Sequence, residues 1–145
     1  MTELLQLRDI SKRFGGVRAL KGIDLSIPEG TIYGLIGPNG AGKTTLFNII
    51  TGMYTADTGT RLLNGVALPL TIKPYQIVER GIARTFQNIR LFHYMTALEN
   101  IMVGCHRHSR AGLFATLFNS ASAQAEEASI SARAFELLDY VGLPR

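Results

Sequence analysis

Gly37-Pro38-Asn39-Gly40-Ala41-Gly42-Lys43-Thr44 satisfies the pattern G-x-x-x-x-G-K-[ST] at every fixed position. The residues before it, 31–36 (T-I-Y-G-L-I), read as a short buried strand. The residues after it, 43–51 (K-T-T-L-F-N-I-I-T), read as a helix that Gly52 stops. Strand, glycine-rich loop and helix in that order are the context this pattern needs. A polyphosphate packs several negative charges into a small volume, so successive backbone N–H groups must converge on it. A β-carbon would obstruct some of those approaches or forbid the dihedrals they need. Gly37, Gly40 and Gly42 remove the obstruction, and the helix start adds free N–H groups and the positive end of its dipole. By this reading Asn39, Gly40 and Gly42 cradle phosphate, Lys43 reaches the β- and γ-phosphates, and the Thr44 hydroxyl ligates Mg²⁺.

Outward from the loop, the chain changes character. Residues 4–10 read as an edge strand, 11–16 as a turn holding Phe14, and 23–27 as a half-buried strand that Pro28-Glu29-Gly30 ends. Residues 58–64 and 66–68 flank Asn64-Gly65, the favoured hairpin dipeptide. Pro74 suits the first turn of a short helix ending near Gly81, and 82–86 reads as a second central strand. Beyond residue 92 the pattern is helical. Thr96-Ala97-Leu98-Glu99 is a capping box opening a helix from Ala97 to about Gly104. Residues 106–112 form a polar link and 113–119 a short apolar segment. Residues 120–131 are either helical or loosely ordered. Residues 132–141 carry apolar side chains at 134, 135, 137, 138 and 141, an amphipathic helix stopped by Gly142 and Pro144. The organisation expected is a nucleotide-binding core with an antiparallel β subdomain over 1–92 and a helical subdomain over 93–145.

Composition narrows the class. The chain has 145 residues, 46% of them hydrophobic and 18% charged, too apolar for a disordered segment. A single cysteine, Cys105, excludes an internal disulfide framework and reads as a half-buried small apolar residue. No apolar run has the length of a membrane helix, and the N-terminus lacks the pattern of a secretory signal, so a soluble cytoplasmic domain is the default. The net charge of +4 rests mid-chain on scattered arginines (Arg61, Arg80, Arg84, Arg90, Arg107, Arg110), a solvated surface rather than the clustered basic face of a nucleic-acid binder. His106 and His108 have no third partner at metal-ligand spacing and read as exposed loop residues.

The eight-residue loop alone suits many nucleotide enzymes. The surroundings are more specific: R-D-I-S-K-R-F-G-G (8–16), A-L-K-G-I-D-L-S-I-P-E-G (19–30), L-I-G-P-N-G-A-G-K-T-T-L (35–46), R-T-F-Q (84–87) and L-F-H-Y-M-T-A-L-E-N (91–100). With these the chain resembles the ATP-binding cassette (ABC) family of transport ATPases over residues 4–145. The runs R-T-F-Q-N-I-R-L-F and G-L-F-A-T-L-F resemble the ATPase subunits of branched-chain amino acid importers in particular. The resemblance implies an α/β P-loop NTPase core with an antiparallel β subdomain and the start of a helical subdomain. It implies that Phe14 stacks on adenine, with Val17 padding the same base, and that Thr45 contacts the α-phosphate. It implies that Gln87 is the Q-loop glutamine, ligating Mg²⁺ or holding the attacking water, and that its loop meets the transmembrane permease. A second ATPase subunit is the other implied partner, and the inner face of the cell membrane the implied location.

Phosphoryl transfer to water needs Mg²⁺ held from a second side and a residue that positions water. In that family an apolar strand ending in Asp-Glu supplies both. The nearest stretch, Phe135-Glu136-Leu137-Leu138-Asp139, has Glu136 inside the apolar run and helical spacing, and does not qualify. Neither an L-S-G-G-Q-like signature nor a late switch histidine is found. The expectation is a chain that stops within the helical subdomain and binds nucleotide without hydrolysing it. Residues 31–36 and 43–51 should then expose apolar surface, with marginal stability or self-association the consequence. A stand-alone, non-catalytic nucleotide-binding or regulatory module is the alternative. A small kinase or GTPase lacks its substrate lid or base-reading motif here.

Overall fold

A computed structural model describes residues 3–86, 91–105 and 121–142, without the side chains of 121–124 and 126. The chain divides into two compact units, Met1–Thr85 and Phe86–Arg145.

The first unit is built on an antiparallel four-stranded sheet. Its strands are β1 (Glu3–Phe14), β2 (Val17–Pro28), β3 (Thr58–Leu63) and β4 (Val66–Leu68), in the order β2-β1-β3-β4. β1 is therefore an interior strand and not the edge expected from sequence: β2 occupies one side of it and β3 the other. Leu5, Leu7 and Ile10 are its buried residues, and the step from two-residue to three-residue spacing marks a bulge. Asp9 absorbs the extra residue with φ 51°, and the Asp24 carboxylate accepts its N–H at 2.9 Å. The facing position on β3 is Gly59, where a β-carbon would stand 2.5 Å from the Arg8 carbonyl oxygen. The β3–β4 turn is Asn64-Gly65 with both φ values positive, as a type I′ hairpin needs.

Helix α1 (Lys43–Ile50) lays Leu46, Ile49 and Ile50 into the core beside Leu5, Leu7, Ile10, Leu20 and Leu63. Helix α2 (Pro74–Glu79) starts on Pro74, as expected, and contributes Ile77. Arg61, read from sequence as one of the solvated arginines, is 1% exposed within this core. Its guanidinium donates to the carbonyls of Ile49 and Ile50 at the end of α1 and to Pro69 O at 3.1 Å.

The two strands expected at 31–36 and 82–86 do not form. Neither segment pairs with a strand among the described residues, and an extended backbone without a ladder partner has no sheet to join. Ile32 and Ile36 are accordingly exposed rather than buried, at 104% and 94%, and Phe47 on α1 is half exposed, so the apolar exposure anticipated here is present.

The second unit is helical where it is described, with α3 (Ala97–Cys105) and α4 (Ala121–Tyr140) packed on each other. The Thr96 capping box forms as expected. Glu99 Oε2 accepts from the Thr96 N–H at 2.7 Å, and Thr96 Oγ1 accepts from the Glu99 N–H at 3.2 Å. The Thr96 N–H, and after it the Thr96 hydroxyl donating to Glu99 Oε2 at 2.9 Å, hold the Glu99 carboxyl below its ordinary range. α4 is one continuous helix, which resolves the two readings in favour of helix over 121–131, residue 120 lying outside the described residues. Among its described side chains Ala134 and Leu138, four residues apart, are buried, while Val141 is exposed. Residues 106–119, with His106, His108 and the apolar 113–119 segment, lie outside the described residues.

Candidate functional site: a phosphate loop and an aromatic platform

The loop 37–42 is held at both ends and exposed between them. The Ala41 N–H donates to Pro38 O at 3.2 Å, closing a turn, and the Leu46 N–H donates to Gly42 O at 2.9 Å, starting α1. Gly42 is the N-cap residue, left-handed at φ 87° and ψ 3°, so its position needs glycine on dihedral grounds. It needs glycine on packing grounds too: a β-carbon there would meet Ala19 O and Leu20 Cδ2, each at 2.7 Å. Gly40 is also left-handed, at φ 83°, with open space where its β-carbon would lie. No side chain caps α1, and no acidic residue sits in its first turn. The first-turn amides and the helix dipole are thus left for an anion.

Lys43 Nζ donates to Gly37 O and Pro38 O, both at 2.6 Å, which holds the ammonium against the loop's own first residues. Asn39 and Thr44 are exposed, and Thr45 is half-buried. The structure therefore gathers Asn39, Gly40, Gly42, Lys43, Thr44 and Thr45 on one loop and helix start.

Phe14 ends β1 and pairs across the turn with Val17 of β2. From Val17 to Leu20, which abuts Gly42, is three strand residues, or about 10 Å. The β1–β2 hairpin thus carries Phe14 at its turn and touches Gly42 of the phosphate loop through Leu20. Phe14 is 44% exposed. The Tyr54 ring meets it edge to face, with centroids 5.3 Å apart and planes at 69°. Lys12 Nζ lies 5.4 Å from the Phe14 centroid. Lys12 also pairs with Asp57 at 2.7 Å, and the Arg13 N–H donates to the other Asp57 oxygen at 2.7 Å. The Lys12 hydrogen bond, then the Arg13 N–H, lower the Asp57 pKa from its ordinary 3.8. The pair's contribution to stability is in place above that ordinary value and is lost as pH falls through the lowered one.

Sequence reading found Phe14 and missed Tyr54, Lys12 and Asp57. Tyr54 and Asp57 lie some forty residues from Phe14 and carry no local pattern. Gln87 lies outside the described residues. Arg84, three residues before it, donates to Asn48 Oδ1 at 2.5 Å and so binds that segment to α1.

Fold and loop together define a P-loop NTPase with an antiparallel sheet beside the loop. The chain belongs to the ABC transporter family, whose profile matches residues 20–143. It is 39% identical over 140 residues to the high-affinity branched-chain amino acid transport ATP-binding protein BraF of Pseudomonas aeruginosa, covering 97% of this chain and 54% of that protein. It is 40% identical, over the same shares, to the LivG protein of the same description from Escherichia coli K12. Among solved structures, a nucleotide-free ATP-binding cassette from an ABC transporter superposes with a TM-score of 0.73 at 33% identity, covering 97% of this chain and 55% of that one. Another ABC transporter cassette, in its ADP conformation, gives 0.67 at 35% identity over 81% of this chain and 46% of that one. The chain spans about half the length of the curated relatives it matches.

Proposed function

We propose that this chain is the ATP-binding portion of an ABC ATPase subunit that powers solute import, with branched-chain amino acids as the solute. The observation that carries the nucleotide reading is the Gly42–Lys43 junction: a left-handed glycine, an uncapped helix start and a lysine ammonium on one short loop. The branched-chain solute is supported by the names of BraF and LivG, which match nearly the whole chain.

In this reading Asn39, Gly40 and Gly42 receive the phosphates on backbone N–H groups. Lys43 exchanges its bonds to Gly37 O and Pro38 O for phosphate oxygens. Thr45 contacts the α-phosphate, and Phe14 stacks on adenine. Mg²⁺, a hard cation that takes oxygen donors, fits the exposed Thr44 hydroxyl, and the family resemblance names Gln87, outside the described residues, as a further donor. When bound it neutralises charge on the β- and γ-phosphates. As the family's Q-loop glutamine, Gln87 would ligate Mg²⁺ or hold the attacking water, and its loop would meet the permease. The second ATPase subunit completes the functional assembly on the cytoplasmic face of the membrane, and no helix among the described residues is long and apolar enough to cross that membrane.

Binding measurements with paired ligands test this. Phe14→Ala is expected to weaken ATP about tenfold, from lost stacking and burial, while leaving inorganic tripolyphosphate unaffected. Gln87→Ala should leave ATP affinity unchanged. Equal loss of both ligands in Phe14→Ala would refute the adenine platform, and collapse of ATP binding in Gln87→Ala would make that residue structural.

A further inference from the structure

Phe14 and Tyr54 leave an unusual arrangement at the end of β1. Both rings stay out of the core, at 44% and 41% exposed, yet they are held against each other. Two aromatic rings placed together at a surface are poor stabilisers there and good binding platforms. Each is fixed from behind. The N–H groups of Met53 and Tyr54 donate to Asn48 O at 2.8 and 3.0 Å, which anchors Tyr54 to the end of α1. Asp57 grips the Lys12 ammonium and the Arg13 N–H, and its own N–H donates to Ser11 O at 2.9 Å, which anchors the end of β1. Lys12 Nζ is placed over the Phe14 ring, within reach for a cation–π contact.

We propose that Tyr54, with the Lys12–Asp57 pair, is the positioning element of the adenine platform: it fixes the Phe14 ring before the base arrives, leaving one aromatic face for stacking. This rests on the reading of Phe14 as the residue that stacks on adenine. An exposed phenylalanine at a strand end has several rotamers and loses that freedom on binding. The edge-to-face contact with Tyr54 and the Lys12 ammonium over the ring remove the loss in advance, so affinity for the base rises without any new contact to it. Tyr54 acts through Phe14, and its effect must fall on the base and spare the phosphates.

The test measures ATP and inorganic tripolyphosphate affinities, with thermal midpoints, for Phe14→Ala, Tyr54→Ala, Tyr54→Leu, Tyr54→Phe and Asp57→Asn in the 145-residue chain. Tyr54→Ala and Tyr54→Leu are expected to weaken ATP about three- to tenfold, the range of an edge-to-face aromatic pair, with tripolyphosphate unchanged. Tyr54→Phe restores wild-type binding, and Asp57→Asn weakens ATP about twofold. Tyr54→Leu keeps an apolar side chain at the site and stands in if the alanine variant does not fold. A Tyr54→Leu chain with wild-type preference for ATP, or one that loses both ligands equally, overturns the proposal. If Phe14→Ala itself keeps the preference for ATP, the adenine platform falls rather than its positioning. If Phe14→Ala loses that preference and the Tyr54 variants keep it, only the positioning role falls.

Discussion

Arg61→Met is expected to destabilise the first unit by about 2 kcal/mol, lowering its urea midpoint and its melting temperature by roughly 10 °C. Arg61 is 1% exposed, and its guanidinium is held by backbone carbonyls of Ile49, Ile50 and Pro69. Ile49 and Ile50 end α1, where the last carbonyls lack intrahelical donors and the dipole is negative. One buried cation therefore closes the helix end and ties β3 to the segment after β4. Burial lowers its pKa from the ordinary arginine value, though arginine stays protonated at any ordinary pH. Methionine preserves much of the volume, so the loss is mainly that of the hydrogen bonds: Ile49 O keeps the Gly52 N–H and Pro69 O the Ile72 N–H, each at 3.1 Å, while Ile50 O loses its Arg61 donor at about 1–3 kcal/mol. The gain from no longer burying a charge offsets part of this. Arg61→Lys should fail similarly, since an ammonium is a point donor and lacks the planar fork that reaches separated carbonyls. An unchanged urea midpoint in Arg61→Met would show that the guanidinium contributes no net stability.

Lys43→Ala is expected to reduce ATP and tripolyphosphate affinity together, by about 100-fold, with little change in melting temperature. Two charge-assisted bonds to phosphate at about 1.5 kcal/mol each give a loss of this size. The bonds Lys43 makes to Gly37 O and Pro38 O are exposed, so their removal costs the fold little. Calorimetric titration checks this, and a change within about threefold would remove Lys43 from the phosphate site. The contrast with Phe14→Ala is diagnostic: the lysine serves both ligands, the aromatic ring one.

What sequence reading recovered was written in short patterns. The phosphate loop, the Asn64-Gly65 hairpin, Pro74 at a helix start and the Thr96–Glu99 box each depend on residues within eight positions of one another. Their physics is local, and the structure has all four. The failures are non-local. Residues 31–36 and 82–86 are apolar and β-branched enough to be strands, but a strand exists only through a neighbour's N–H and C=O groups. β1 looked like an edge because nothing in residues 4–10 announces that β3, some fifty residues later, closes its second side. Arg61 sits in a run of sequence that reads as amphipathic strand, and only the arrival of the α1 C-terminus makes its burial favourable. Tyr54 and the Lys12–Asp57 pair belong to the same class: the candidate site's phosphate half is contiguous in sequence, whereas its aromatic half is assembled by the sheet.

The central claim is that the loop around Gly42 receives the phosphates of Mg-ATP. Hydrogen–deuterium exchange of the 145-residue chain, with and without saturating Mg-ATP, addresses it directly. Slowed exchange of the amides from Gly40 through Thr45, absent in Lys43→Ala, is the predicted result. Unchanged exchange across that loop at saturating Mg-ATP, or protection confined to residues elsewhere, would contradict it.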